Sequence, residues 1–317
     1  MSALCQEFRA MWLDGIHAIT GMPERSVVGL IGDKSYQIYS PATSNAVTLQ
    51  FSDMSKVASA YAFDARRFSM AAMETMVGLS RPASLPKSTG WLIVEAYYGA
   101  FFAAHALLRL SGRSFTQLER AATRSINEIS DLFGMQTSPL EQGMFYGVVD
   151  HAGKTLRIVK SMDQSHEGLW VRFLELLSDS ALIIGGNAPS ASVQSSLSKI
   201  LELKTLLTEG GKLSKGNWLS QVRNSVTYRH EFSAWYPYNT QPPYFSALDT
   251  RLADWKLDVD EISLWPQGGR DIQRFLEACL ALVSLCREVC LDMSSRCPKG
   301  RSFQDYGAVS LLSRLGV

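Results

Sequence analysis

The chain has 317 residues, enough for one large domain or two, and its 46% apolar and 19% charged residues are the balance of an ordinary folded protein rather than a disordered one. Its 31 basic and 30 acidic residues leave a net charge of +1, which excludes a protein that coats long nucleic acid through a general basic surface. Any contact with RNA or DNA must then be made at a local patch.

Residues 1–25 carry a short amphipathic pattern, FRAMWLDGIHAI, ended by Gly21 and Pro23. Over 26–51 the runs SVVGLI, YQIY and AVTLQF, separated by GDKS and PATSN, predict short strands joined by turns. A helix rich in Ala and Met follows Asp53 and runs until Pro82 and Pro86 interrupt it. Residues 91–111 read WLIVEAYYGAFFAAHALLRLS, an almost unbroken apolar helix capped by Ser88 or Thr89 and ended near Gly112. Glu95 and His105 interrupt that run before it reaches the roughly 18 uncharged residues of a membrane span. A soluble protein is expected, and the odd cysteine count with no leader-like segment points to a reducing cytoplasm.

A further helix is expected over about 116–133, starting after Ser114 and closing at Gly134. MFYGVVD and TLRIVK, either side of HAGK, predict a β-hairpin over about 143–160, inserted among helices. Asp150, His151 and Lys154 at its tip read as exposed turn residues. Helices over about 168–183 and 190–209 stop at Gly185-Gly186 and Gly210-Gly211. Beyond His230, SAWYPYNTQPPYF cannot continue a helix; it offers either stacking faces for bases or a loop packed on the core. Trp255 and Trp265 lie in a connector ending at Gly268-Gly269. A long helix over about 270–294 carries Cys279, Cys286 and Cys290 on one stripe with Cys297, which reads as core packing rather than a metal site. In the tail, residues 298–317, LLSRL is expected to dock as a short helix.

The chemistry concentrates in residues 217–230, NWLSQVRNSVTYRH. Asn217 is a good N-cap, and Trp218, Leu219, Val222 and Val226 form the apolar stripe. Arg223 and His230 are seven residues apart, nearly two turns, and leave one face with Thr227 between them, about 10 Å apart along the axis. Arg holds anionic oxygens in a planar fork and His moves protons near neutral pH, so with Asn224 the set suits phosphate handling. The alternative is that two cations simply favour a helix C-terminus. Lys212, Lys215 and Arg229 would add local positive charge for substrate binding. No Walker loop, zinc-protease motif, nucleophile elbow or two-metal carboxylate pair occurs, so neither a cofactor nor a metal is expected.

The run from Tyr97 to Leu108, Tyr-Tyr-Gly-Ala-Phe-Phe-Ala-Ala-His-Ala-Leu-Leu, resembles the signature helix of HEPN domains, the higher eukaryote and prokaryote nucleotide-binding family. That family's other mark is Arg, often followed by Asn or Asp, then four to six residues and His; Arg223-Asn224 through His230 fits at the long end. The resemblance implies a mainly α protein: a HEPN-like bundle over about 54–300, a β-containing segment over 1–53, the hairpin insert, and a tail over 301–317. It implies a metal-independent endoribonuclease, a toxin or antiviral effector, in which Arg223, Asn224 and His230 act on RNA. Glu95 and Tyr98 would orient them, or serve only in packing, and His105 reads as a satisfied core histidine. A homodimer would complete the site, and an antitoxin or a regulatory or sensor protein is the further partner implied. The alternative is a non-catalytic module of the same fold that binds a nucleotide or a partner protein.

Overall fold

Ser2 opens the first helix, α1 (Ala3–Glu7), by accepting the Cys5 N–H at 3.1 Å, and its hydroxyl donates to Glu288 at 2.8 Å. The computed structural model in which this is seen describes residues 1–80, 88–236, 248–264 and 271–316. The expected FRAMWLDGIHAI helix is instead two 3-10 turns, Phe8–Met11 and Ile16–Ala18. Gly15 breaks it with φ +80°, and the Leu13 N–H donates to Leu110 O at 2.8 Å, outside any local helix.

SVVGLI, expected as a strand, is helix α2 (Val27–Gly32). The Ser26 hydroxyl accepts from Gly29 N–H, and Val27, Leu30 and Ile31 bury one face, so capping and packing outweigh the β preference of two valines. Strands β1 (Gln37–Ser40) and β2 (Ala46–Gln50) follow as expected.

Two long helices come next, α3 (Met54–Ser80) and α4 (Thr89–Leu110), with Ser88 at the N-cap position of the second. Gly99, Ala100, Ala103 and Ala104 keep α4 slim, and a Cβ on Gly99 would lie 2.8 Å from Met76 Sδ of α3. Helix α4 is apolar and long enough to cross a membrane by length and composition, but 72% of its most apolar stretch is buried inside the fold.

Residues 113–118, placed partly in a helix by the sequence pattern, form strand β3 (Arg113–Leu118), and helix α5 (Arg120–Leu132) starts after it. Pairing decides this: Phe115 lies opposite Tyr146 and Gln117 opposite Met144 of strand β4 (Gly143–Asp150), which turns into β5 (Thr155–Lys160). The hairpin is therefore no isolated insert. It is the middle of a five-stranded antiparallel sheet, β1-β2-β5-β4-β3, which joins it to the N-terminal strands. Its tip is as expected: Asp150 accepts from Gly153 N–H, and exposed His151 lies 3.5 Å from Asp14.

Helices α6 (Ser165–Gly185), α7 (Ala191–Leu207) and α8 (Trp218–Arg229) complete the middle of the chain. Helix α9 (Asp271–Ser295) runs against α4, with Cys279, Cys286 and Cys290 fully buried. It also anchors the N-terminus, since Arg9 pairs with its Asp292 at 2.6 Å. LLSRL docks on α3 in helix α10 (Ala308–Leu315), with Leu312 buried. The fold is mainly α with one small sheet. Pro82, Pro86, residues 237–245 of the aromatic and proline-rich segment, Trp265 and Gly268-Gly269 lie outside the described residues.

Candidate functional site

Helix α8 packs against α4 and carries Ser220, Arg223 and Thr227 on one helical face. Arg223 is 7% exposed, and its guanidinium carbon stands over the Tyr97 ring, 5.2 Å from the centroid. Among the described residues no carboxylate pairs with it, and its buried Nε–H has no acceptor; Thr227 Oγ1 is likewise buried and unpartnered. A buried cation normally has a counterion, because leaving water is expensive for a charge. The Tyr97 ring face offsets part of that expense.

The Tyr97 hydroxyl accepts the Trp170 indole N–H at 3.2 Å and lies 2.8 Å from His166 Nδ1. Ser220 and Arg223 also engage it. Burial raises the Tyr97 pKa, so the phenol keeps its proton. His166 comes from the first turn of α6, which lies on β3 because a Cβ on Gly168 would strike the Phe115 ring. Its imidazole is half-buried, packed against Phe101 at 4.7 Å, Tyr97 at 5.6 Å and Tyr98 at 6.0 Å between ring centroids. Burial first, then the Arg223 charge, pushes its pKa down to about 4. The ring is thus neutral at pH 7, and with its proton on Nε2 the Tyr97 hydroxyl donates to Nδ1.

Asn217 holds the N-cap position of α8 without making a capping bond; its amide instead donates to Glu167 at 3.5 Å. His230 ends α8 with φ +55°, exposed, its ring centroid 6.1 Å from that of Trp235. Arg223 and Tyr98 therefore belong to one aromatic and basic cluster, with Thr227 on the same face of α8. Asn224, Arg229 and His230 at the outer side of α8, and Glu95 on α4, are exposed.

The three cations expected to bind substrate all have carboxylates beside them. Lys215 bridges Asp163 and Glu167 at 2.9 Å each, Lys212 lies 3.4 Å from Glu209, and Arg229 lies 3.9 Å from Glu231. The local excess of positive charge is therefore smaller than the sequence suggests. His105 is a core histidine as expected, stacked on Phe68 at 4.5 Å, but its buried Nδ1 has no partner. Burial drives its pKa well below the usual value. At residues 234–235 the aromatic segment is packed on the core: Gly90 N–H donates to Ala234 O at 2.9 Å, and Trp235 Nε1 donates to Val226 O at 2.8 Å.

His166, Trp170 and Ser220 are the members that the sequence pattern does not single out. The trace they leave is slight: His166 and Trp170 are one helical turn apart in SHEGLW, which puts both on one face of α6. The chain matches no protein-family model, and no curated protein or solved structure matches it.

Proposed function

We propose that the chain is a metal-independent endoribonuclease of the HEPN kind, in which Arg223 holds the scissile phosphate. The observation that carries this is a guanidinium 7% exposed, with no carboxylate partner among the described residues, beside a neutral imidazole. An anionic oxygen supplies the missing charge and accepts from the unpartnered Nε–H. RNA brings its own nucleophile. The 2′-hydroxyl gives its proton to an imidazole as its oxygen bonds to phosphorus. The P–O5′ bond breaks, and the 5′-oxygen leaves with a proton from a second imidazole, giving a 2′,3′-cyclic phosphate and a 5′-hydroxyl. Exposed His230 and half-buried His166 are the two imidazoles that such a scheme would use. A cytoplasmic homodimer that brings two α8 helices together belongs to the same proposal, as does a toxin or defence role under the control of an antitoxin or sensor protein.

One observation favours the rival, a non-catalytic module that binds a nucleotide or a partner protein: Arg223 is packed over Tyr97 of α4 and is buried. Purified protein incubated with total RNA, with and without EDTA, separates the two. Cleavage that survives EDTA and falls at least about 100-fold in Arg223→Lys supports the ribonuclease, because a point charge cannot reproduce the planar fork over Tyr97. Intact RNA bound by the protein in a filter assay supports the rival.

A further inference from the structure

The donors around the Tyr97 hydroxyl set up a second consequence, which rests on the phosphate reading of Arg223. With His166 neutral and its proton on Nε2, Nδ1 accepts the Tyr97 proton, while Trp170 Nε1 donates to the phenolic oxygen. Once His166 gains a proton, Nδ1 becomes a donor too, and every nitrogen group at the Tyr97 hydroxyl then donates. The displaced Tyr97 proton can turn to the Ser220 hydroxyl, but the Arg223 Nε–H still needs an acceptor, and a bound oxyanion offers one.

The surrounding charges point the same way. From α4, Tyr97, Tyr98 and His105 face His166, and from α8 Arg223 does. On its own helix and the turn before it, Glu167 and Asp163 are both bridged by Lys215, whose single charge balances one of the two. Among the described groups, Arg223 is the charge that holds the His166 titration down, after burial. An anion on Arg223 cancels it, and cancelling it favours the imidazolium.

We propose that this site binds a phosphate group together with one proton, taken from solvent by His166, so that the anion loads the residue with the proton a leaving 5′-oxygen needs. The coupling is reciprocal: the anion promotes protonation, and protonation tightens the anion. In the empty site His166 stays neutral. Acid is thus made available only where a phosphate already sits.

Sulfate is the first probe, because its charge is constant across the range tested, and a thymidine dinucleotide, a phosphodiester with no 2′-hydroxyl, is the second. The His166 ring resonance is followed by NMR, and binding heat is measured in two buffers of unlike ionisation enthalpy, from about pH 8 to about pH 5. Expected is an affinity that rises about tenfold or more on acidification, proton uptake on binding, and an upward move of the His166 titration midpoint with either probe. His166→Gln should bind both probes with no such pH dependence. Affinity independent of pH in the wild type, an unmoved His166 midpoint, or pH dependence that survives in folded His166→Gln would each overturn the proposal. If His166→Gln does not fold, the wild-type resonance decides alone. Linkage without RNA cleavage leaves this inference standing and sinks the ribonuclease; cleavage without linkage does the reverse.

Discussion

The Tyr97 hydroxyl and His166 Nδ1 are 2.8 Å apart although 69 residues separate them in the chain. This contact ties the first turn of α6 to the middle of α4, directly beneath the Arg223 guanidinium. Tyr97→Phe keeps the ring that carries Arg223 but leaves Trp170 Nε1 and His166 Nδ1 without their partner. Urea unfolding should show a loss of about 1–3 kcal/mol. RNA cleavage should fall with it, and full activity in a destabilised Tyr97→Phe would make the contact purely architectural.

His166 also fixes a pH dependence of stability. Its folded pKa of about 4 lies below the ordinary 6.5, so the unfolded chain binds the extra proton more readily. The stability contribution is complete above about pH 6.5 and is lost as pH falls towards about 4. Buried His105 acts in the same direction. Thermal unfolding followed at steps through this window should show the midpoint falling, and His166→Gln should flatten part of that slope. An equal slope in wild type and variant would remove His166 from the account.

His230→Ala should abolish RNA cleavage, by at least about 100-fold, while leaving the fold intact. The residue is exposed, lies beyond the last helical turn, and touches Trp235 by ring contact alone among the described rings. Circular dichroism is the control. A drop in helicity would reassign His230 to a structural role.

Gly168→Ala tests how the site is positioned. The added methyl meets the Phe115 ring, so either β3 or the first turn of α6 must shift, at about 1–3 kcal/mol. Because His166 sits on that turn, cleavage should fall more than the loss of folded protein accounts for. Activity that merely tracks the folded fraction would show that the placement of His166 is not critical.

Asn224 and the 73% exposed Tyr228 leave the outer side of α8 open to a second copy. The proposed shared site requires a dimer by light scattering, and mixing His230→Ala chains with wild type should then give poorly active hybrids. An active monomer would end the shared-site scheme.

The residues by themselves determined the elements whose signals are local. Apolar periodicity with Ser88 ahead of it placed α4, the stripe through Cys279, Cys286 and Cys290 placed a core helix, and the turn residues of HAGK placed the hairpin. They also marked Arg223 and His230 as the residues to watch. Where local preference and long-range contact disagreed, contact won. Two valines did not make SVVGLI a strand once a capped, buried face was available, and pairing with β4 took Arg113–Leu118 out of a helix. Only the tertiary structure decided which imidazole faces Arg223 and whether Lys215 is free to meet an anion. The physical reason is that hydrogen bonds, burial and charge pairing act across space. His166 is 57 positions from Arg223, and Lys215 is neutralised by carboxylates about 50 positions away, separations at which no helical or strand period carries information.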